Sequence, residues 1–393
     1  GELRIGDGVT RWADRPRYAY ADQVDAALAA ALEAQGAAEL AATNAQSVVA
    51  QDLSAIAADL GINDVRAMCW LGASLDKDPA PLLDAQARLS WYSEGASQYR
   101  GAQREFPSLG FAVARDNKVE IYSLDYGAPA LWMAFVGAWS LGNGTMLFVG
   151  SLSQYAPTTS LAYAEGRLYV GSWNESNISA LFEIDFSADN CRAWREGGYS
   201  TYTNHANIAE RNLPKGVDNL TSGPTLSSSK INDIALRVDP DAPRDEKTGM
   251  LVPTVFAAVG QEGKGGGGLN IILPDRSDVR RIIANTGAGG YRGARVALNE
   301  RGRFAIAQAY GGTYASIYLF DAVPDSNLGP ANVYPHSNGM GYSEEDFSIR
   351  GMPRATPSLL DMSASGSELA LGLASSAFRY AGRVSQALVS PDE

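Results

Sequence analysis

Residues 297–307, Ala-Leu-Asn-Glu-Arg-Gly-Arg-Phe-Ala-Ile-Ala, set two short apolar runs on either side of a polar Arg301-Gly302 turn. Runs of this length bounded by Gly and charged residues read as the two strands of a hairpin. A third run, 316–320, follows them. The same order of strand, polar turn, strand, loop and strand recurs along the chain. It is met at 109–113, 119–124 and 130–136 about Asp116-Asn117, and at 160–163, 168–171 and 180–186 about Glu165-Gly166. It returns at 231–238, 254–259 and 269–273, and at 358–362, 369–373 and 384–389 about Ser365-Gly366.

Units of this kind, spaced roughly 35 to 60 residues apart, predict the blades of a β-propeller. Residues 297–307 resemble the inner strand pair of such a blade. The expected fold class is therefore mainly β, with a propeller-like head of about five blades over 107–393. A β-sandwich is the competing architecture, because three-stranded recurrences also arise there. No Trp-Asp dipeptide ends a blade and no Ser-x-Asp-x-Gly-x-Thr-Trp box is present, which excludes two familiar propeller families. The short repeat that a right-handed β-helix requires is not seen.

Upstream the composition changes. From Asp22 to Leu60 the chain is rich in Ala, Leu, Glu, Gln and Asp, with no Pro and one Gly, which favours helix. Val24, Leu28, Ala31, Gln35, Ala38, Ala42, Ala45 and Val49 alternate steps of four and three, and the seam resumes at Leu53, Ile56 and Leu60. That is a heptad pattern with one discontinuity, expected to pair with other copies as a coiled coil and to end at Gly61-Ile-Asn63. One amphipathic helix packed on a globular domain is the plainer alternative. Residues 63–106 mix helical and loop signals around an Asp76-Lys-Asp-Pro-Ala-Pro81 break and read as a connector.

The first residues, Gly1-Glu-Leu-Arg-Ile-Gly-Asp-Gly-Val-Thr-Arg-Trp-Ala-Asp14 and then Arg-Pro-Arg-Tyr-Ala-Tyr20, place Leu3, Ile5 and Val9 at odd positions about a Gly6-Asp7-Gly8 turn. Trp12 would anchor that strand and Pro16 end it. The string resembles the closing part of the small N-terminal β motif of tail fibres and receptor-binding proteins of tailed bacteriophages; residues 5–18 fit well, and Arg15 departs where Leu is usual. More loosely, 106–125 with 131–135, and 231–243 with 247–254, resemble segments of tail fibre proteins of marine phages. The resemblance implies a homotrimer in the virion tail, made in the host cytoplasm. It would attach to other virion tail proteins through its N-terminus and bind a host cell-surface glycan or protein. The chain starts inside the motif and without an initiator Met, so further residues are expected upstream. The implied organisation is a truncated attachment motif over 1–20, a trimeric helical stalk over 21–62, the connector over 63–106 and the receptor-binding head over 107–393.

Composition limits the partners. With 32 Lys and Arg against 44 Asp and Glu the net charge is −12, which argues against nucleic acid as a general partner. The longest apolar stretch, 131–150, is broken by Gly137, Gly142, Asn143 and Gly144, so no membrane insertion is expected. Cys69 and Cys191 fall in regions assigned to different domains, and no disulfide is suggested. The two histidines and two cysteines lack zinc-ligand spacing, and no Gly-x-Ser-x-Gly elbow is present. No cofactor, catalytic residue or metal ligand is assigned.

Several chemistry-bearing stretches read more simply as plain structural elements. Gly263-Lys-Gly-Gly-Gly-Gly268 and Asn285-Thr-Gly-Ala-Gly-Gly290 lack the strand-turn-helix setting of a phosphate loop and read as flexible tips. Paired carboxylates for glycoside cleavage would come from Glu344-Glu345-Asp346, Asp185, Asp239 or Asp361, more simply read as turn and loop residues. They leave a polysaccharide depolymerase as an alternative, beside a purely structural spike. Asp239, Asp241 and Asp245 are a sparse calcium set. The better signal is aromatic residues between strands: Trp173 with Asn174, Tyr199, Tyr202 with His205, Tyr291, Tyr310, Tyr314, Tyr334 with His336, and Tyr342. Flat aromatic faces and Asn donors suit glycan recognition.

Overall fold

The computed structural model describes residues 55–58, 60–115, 118–136, 158–172, 180–196, 198–201, 207–212, 223–261, 267–283, 292–299, 302–310, 314–320, 322–328, 357–362, 368–373 and 376–381. For 198–201, 283, 292, 294, 308–310, 314–319 and everything from 357 onward it describes the strand backbone alone. The chain divides into two compact units, 1–56 and 57–393. The attachment motif and nearly all of the stalk lie outside the described residues. A helical turn at 55–58 is seen, and Gly61 at φ 68° ends it, its N–H reaching the Ala58 carbonyl while Ile62 N–H reaches that of Ala57. This is the left-handed glycine cap that the sequence marks.

The larger unit is mainly β. Its described residues form five antiparallel meanders, each built from strands consecutive in the chain. Sheet 1 holds Ala67–Leu71 (β1), Gly110–Ala114 (β2), Lys118–Ser123 (β3) and Ala130–Val136 (β4). Sheet 2 holds Thr158–Ala164 (β5), Arg167–Ser172 (β6), Leu181–Asp185 (β7), Asn190–Arg195 (β8) and Gly198–Thr201 (β9). Sheet 3 is Ile231–Arg237 (β10), Thr254–Val259 (β11), Gly268–Ile272 (β12) and Val279–Ile283 (β13). Sheet 4 is Arg292–Leu298 (β14), Phe304–Tyr310 (β15) and Tyr314–Phe320 (β16), and sheet 5 is Pro357–Met362 (β17), Glu368–Leu373 (β18) and Ser376–Ala381 (β19).

Sheets 2 and 3 each present alternate residues to a neighbour on either side, as a strand period of two requires. Leu168, Val170, Phe182 and Ile184 of sheet 2 pack with sheet 1, whereas Tyr169, Leu181 and Trp194 pack with Ile231, Val255, Ala257 and Val259 of sheet 3. The other face of sheet 3, with Phe256, Ala258 and Leu269, meets Val296, Phe304 and Ile306 of sheet 4. First strands touch first strands throughout: β1 with β5, β5 with β10, β10 with β14, and β14 with β17. In sheets 2 to 5 the first strand carries a bulge at the same place, with Thr159, Asn232, Ala294 and Ser358 as the extra residue. Bulges recur where a strand must bend. Two of these side chains reach the next sheet: Thr159 Oγ1 donates to the Ile231 carbonyl at 2.6 Å and Asn232 Nδ2 to that of Gly293 at 2.8 Å.

Several expectations need correction. Residues 63–106 are not a separate connector, because β1 is the first strand of sheet 1 and Leu82, Trp91 and Phe106 are buried in the core between sheets 1 and 2. Trp91, Phe106, Trp132 and Phe186 meet edge to face with centroids 5.3 to 6.4 Å apart. The polar turn residues among these aromatics hid them from a periodicity reading. β8, β9 and β13 were not foreseen, and the third strand of sheet 5 runs over 376–381 rather than 384–389. Cys69 and Cys191 belong to one core rather than to two domains, both as free thiols. Burial pushes the Cys69 thiol up to about 12 and that of Cys191 well above its ordinary value.

Candidate functional site

The first strands of sheets 2, 3 and 4 run side by side in one direction, since Thr159 meets Ile231, Asn232 meets Gly293 and the Asp233 carboxylate accepts the Val296 N–H at 3.0 Å. Glycine permits the close approach. A Cβ on Gly171 would press on Ile231, and one on Gly293 would lie 2.1 Å from the Gly268 carbonyl oxygen. One end of the sheets, the leading end, is thus where β5, β10 and β14 begin. Segments 137–157 and 284–291 join an outer strand to the next first strand there. Segment 173–179 starts and finishes there too, closed by Ser172 N–H to the Ala180 carbonyl at 3.1 Å.

The aromatic candidates sort by this topology. Trp173 and Asn174 lie outside the described residues but follow Ser172 directly, and Tyr291, also outside, directly precedes Arg292. Tyr199 is on β9 opposite Trp194, in the same row as Leu181 and Gly171. Tyr310 and Tyr314 are cross-strand partners at the tip of the β15–β16 hairpin. All of these attach at the leading end. Tyr202 and His205 follow β9 as it runs away from that end and lie outside the described residues, as do Tyr334, His336 and Tyr342.

The opposite, trailing end is braced by buried charge. Arg167 Nε lies 2.8 Å from Asp185 and 3.6 Å from Glu183, and Arg276, carried on the β12–β13 turn, reaches across from sheet 3 to Glu183 at 2.9 Å and the Tyr169 hydroxyl at 2.7 Å. Burial alone would raise Glu183, but the guanidiniums of Arg276, Arg192 and Arg167 outweigh it and hold this carboxyl at about 2. Asp185 also accepts from Ser187 and Ala188, so the expected turn role fits it. Asp239 pairs with Arg237 at 2.7 Å, and Asp245 caps its own turn through Lys247 and Thr248. Among the described residues no group of three His, Cys, Asp or Glu is placed to hold a metal ion. The strand backbone places Asp361 opposite Ala370, and Glu344 to Asp346 lie outside the described residues.

A second polar junction escaped the sequence reading. After β1 the chain makes a 3-10 turn, Ala73–Leu75, and the short helix Ala80–Ala85. Between them Asp76 Oδ2 accepts from the Tyr163 hydroxyl at 2.8 Å, and Lys77 N–H donates to Glu165 Oε1 at 2.9 Å. Glu165 and Gly166, at φ 52° and 69°, form a tight hairpin turn of the primed kind. The Glu-Gly dipeptide signalled the turn; nothing in the sequence signalled that a carboxyl from residue 76 would be buried against it. Burial raises Asp76 to about 7, the Tyr163 hydroxyl opposing and the Glu165 charge adding to the rise.

No family model and no curated protein matches this chain. Solved structures with similar coordinates include a humanized mutant of the Chaetomium thermophilum Polycomb Repressive Complex 2 bound to an inhibitor, at TM-score 0.33 and 9% identity over 79% of this chain and 47% of that chain. An active polycomb repressive complex 2 in the basal state gives 0.32 and 12% over 67% and 43%, and Hsv2 of Kluyvelomyces marxianus 0.27 and 10% over 72% and 70%. This chain spans about half the length of the first of these. Similarity at this level assigns neither fold nor function.

Proposed function

We propose that this chain is a tail-fibre-type adhesin whose head is a β-propeller of five blades and whose leading end holds a host surface receptor, most simply a glycan. The observation that carries the reading is that the strand positions of Tyr199, Tyr310 and Tyr314 fall at one end of the sheets, the end where the chain leaves Ser172 toward Trp173 and Asn174 and enters Arg292 from Tyr291. The trailing end, by contrast, is occupied by internal braces. Succession of meanders in chain order, contact of first strand with first strand, and a bulge repeated at one place in sheets 2 to 5 support a pseudo-rotational arrangement over a two-sheet sandwich. The resemblance of residues 5–18 to the phage attachment motif and the heptad seam of 24–60 support a homotrimer carried on the virion. Three modest sites on one stalk would gain avidity from high effective concentration.

The test is adsorption. The purified chain is applied to an array of bacterial surface polysaccharides, with Trp173→Ala, Tyr310→Ala and Tyr314→Ala alongside. Loss of binding without loss of fold supports the leading-end site; parent-like binding by all three variants rejects it. Release of reducing ends from the bound polysaccharide would instead identify a depolymerase.

A further inference from the structure

The trailing end of sheets 1 to 3 is closed where three pieces of chain meet: residues 73–82 after β1, the β5–β6 turn, and the 239–252 excursion between β10 and β11. Lys77 bonds to the β5–β6 turn through its N–H to Glu165, and its ammonium reaches the Val238 carbonyl just before the excursion. Arg244 pairs with Asp78 at 2.9 Å, Arg167 donates to the Leu251 carbonyl at 2.8 Å, and Leu82 and Met250 lie against Gly166. At the centre sit the Asp76 and Glu165 carboxyls, 8% and 1% exposed, whose Oδ1 and Oε2 have no hydrogen-bond partner.

We propose that this junction is a proton-operated latch: a proton on Asp76 lets both carboxyls occupy one buried site, and its loss drives residues 73–82 and the 239–252 excursion away from the β5–β6 turn. Two carboxylates in a common buried site cannot both ionise cheaply. The cations that face them are already engaged, Arg167 by Asp185 and Glu183 and the Lys77 ammonium by the Val238 carbonyl. Asp78 adds repulsion on Glu165, while Arg244 and Asp245 face Asp78 and Arg167 respectively. The Tyr163 hydroxyl, itself raised far above its ordinary value by burial and by Asp76, stays protonated and serves as a fixed donor.

The direction follows from the folded Asp76 carboxyl lying at about 7 against an ordinary 3.8. As pH rises between those values the unfolded or opened state loses its proton first, so the closed state weakens, and above about 7 the weakening is complete. The latch therefore holds in acid and is loosened by the time neutrality is passed.

Hydrogen exchange of amides 73–82 and 239–252, normalised for the intrinsic chemical rate, tests this on the full chain between about pH 5 and 9. Protection in the parent is expected to fall through neutrality by about tenfold or more in total. Asp76→Asn should stay protected throughout. Glu165→Gln should show a smaller fall, because Asp76 then ionises beside a neutral neighbour. Equal parent protection at both ends of the range, or a parent-like fall in Asp76→Asn, overturns the latch. So does protection at high pH restored by added calcium, which would mark a cation site instead. Should Asp76→Asn fail to fold, an unchanged fall in Glu165→Gln overturns it alone.

Discussion

Glu183→Gln removes the charge at the centre of the brace between sheets 2 and 3 while keeping the side-chain volume. Glu183 is 3% exposed, lies 2.9 Å from Arg276 and 3.6 Å from Arg167, and accepts from Tyr169 and Trp194. Its carboxyl is held at about 2 against an ordinary 4.5, a displacement equivalent to about 3 kcal/mol at ~1.4 kcal/mol per pH unit. Breaking one side of a buried pair costs about 3–5 kcal/mol, and the low end applies because Arg167 keeps Asp185 at 2.8 Å. The variant should therefore lose about 3 kcal/mol in urea unfolding at neutral pH, followed by tryptophan fluorescence, to which Trp194 contributes. Because the folded value is depressed, this stability is fully present above 4.5 and is lost as pH falls through about 2. The gap between parent and variant should narrow over that window. A gap under about 1 kcal/mol at neutral pH, or one unchanged down to acid, refutes the brace. The double variant Glu183→Leu with Arg276→Met should recover only part of the loss, since the apolar pair removes the buried charges but also takes the Glu183 acceptor from Tyr169 and Trp194.

Phe186→Ala empties the middle of the aromatic cluster between sheets 1 and 2, where Phe186 meets Trp91, Phe106, Trp132 and Phe135. It should cost about 3–5 kcal/mol in the same urea assay. Gly293→Ala places a Cβ 2.1 Å from the Gly268 carbonyl oxygen, backbone that cannot yield as a side chain can. It should abolish soluble expression, and a folded variant with parent stability would show that β14 and β12 do not approach as described. Mass measurement on the intact chain should give a trimer if the seam of 24–60 joins three copies; a stable monomer would remove the stalk from the proposal.

Much of the sheet structure was legible because short apolar runs bounded by Gly, Asp and Asn turns carry their own signal. The hairpins about Glu165-Gly166 and Arg301-Gly302, and strands β2 to β7, β10 to β12 and β14 to β16, follow from local alternation and turn chemistry. β1 and its aromatic sequel were illegible for the opposite reason: Trp91 and Phe106 sit among polar turn residues, and only the face of sheet 2 gives them a core to enter. The ionisable groups divide in the same way. That Arg276 crosses to Glu183, or that Asp76 is buried beside Glu165, depends on residues nearly a hundred positions apart meeting in space, and no local pattern encodes such a meeting. Composition determined the acidic charge, the absence of zinc-ligand spacing and the aromatic content of the inter-strand segments. Which of those segments share one end was decided by the common direction of the first strands, fixed only when the sheets pack face to face.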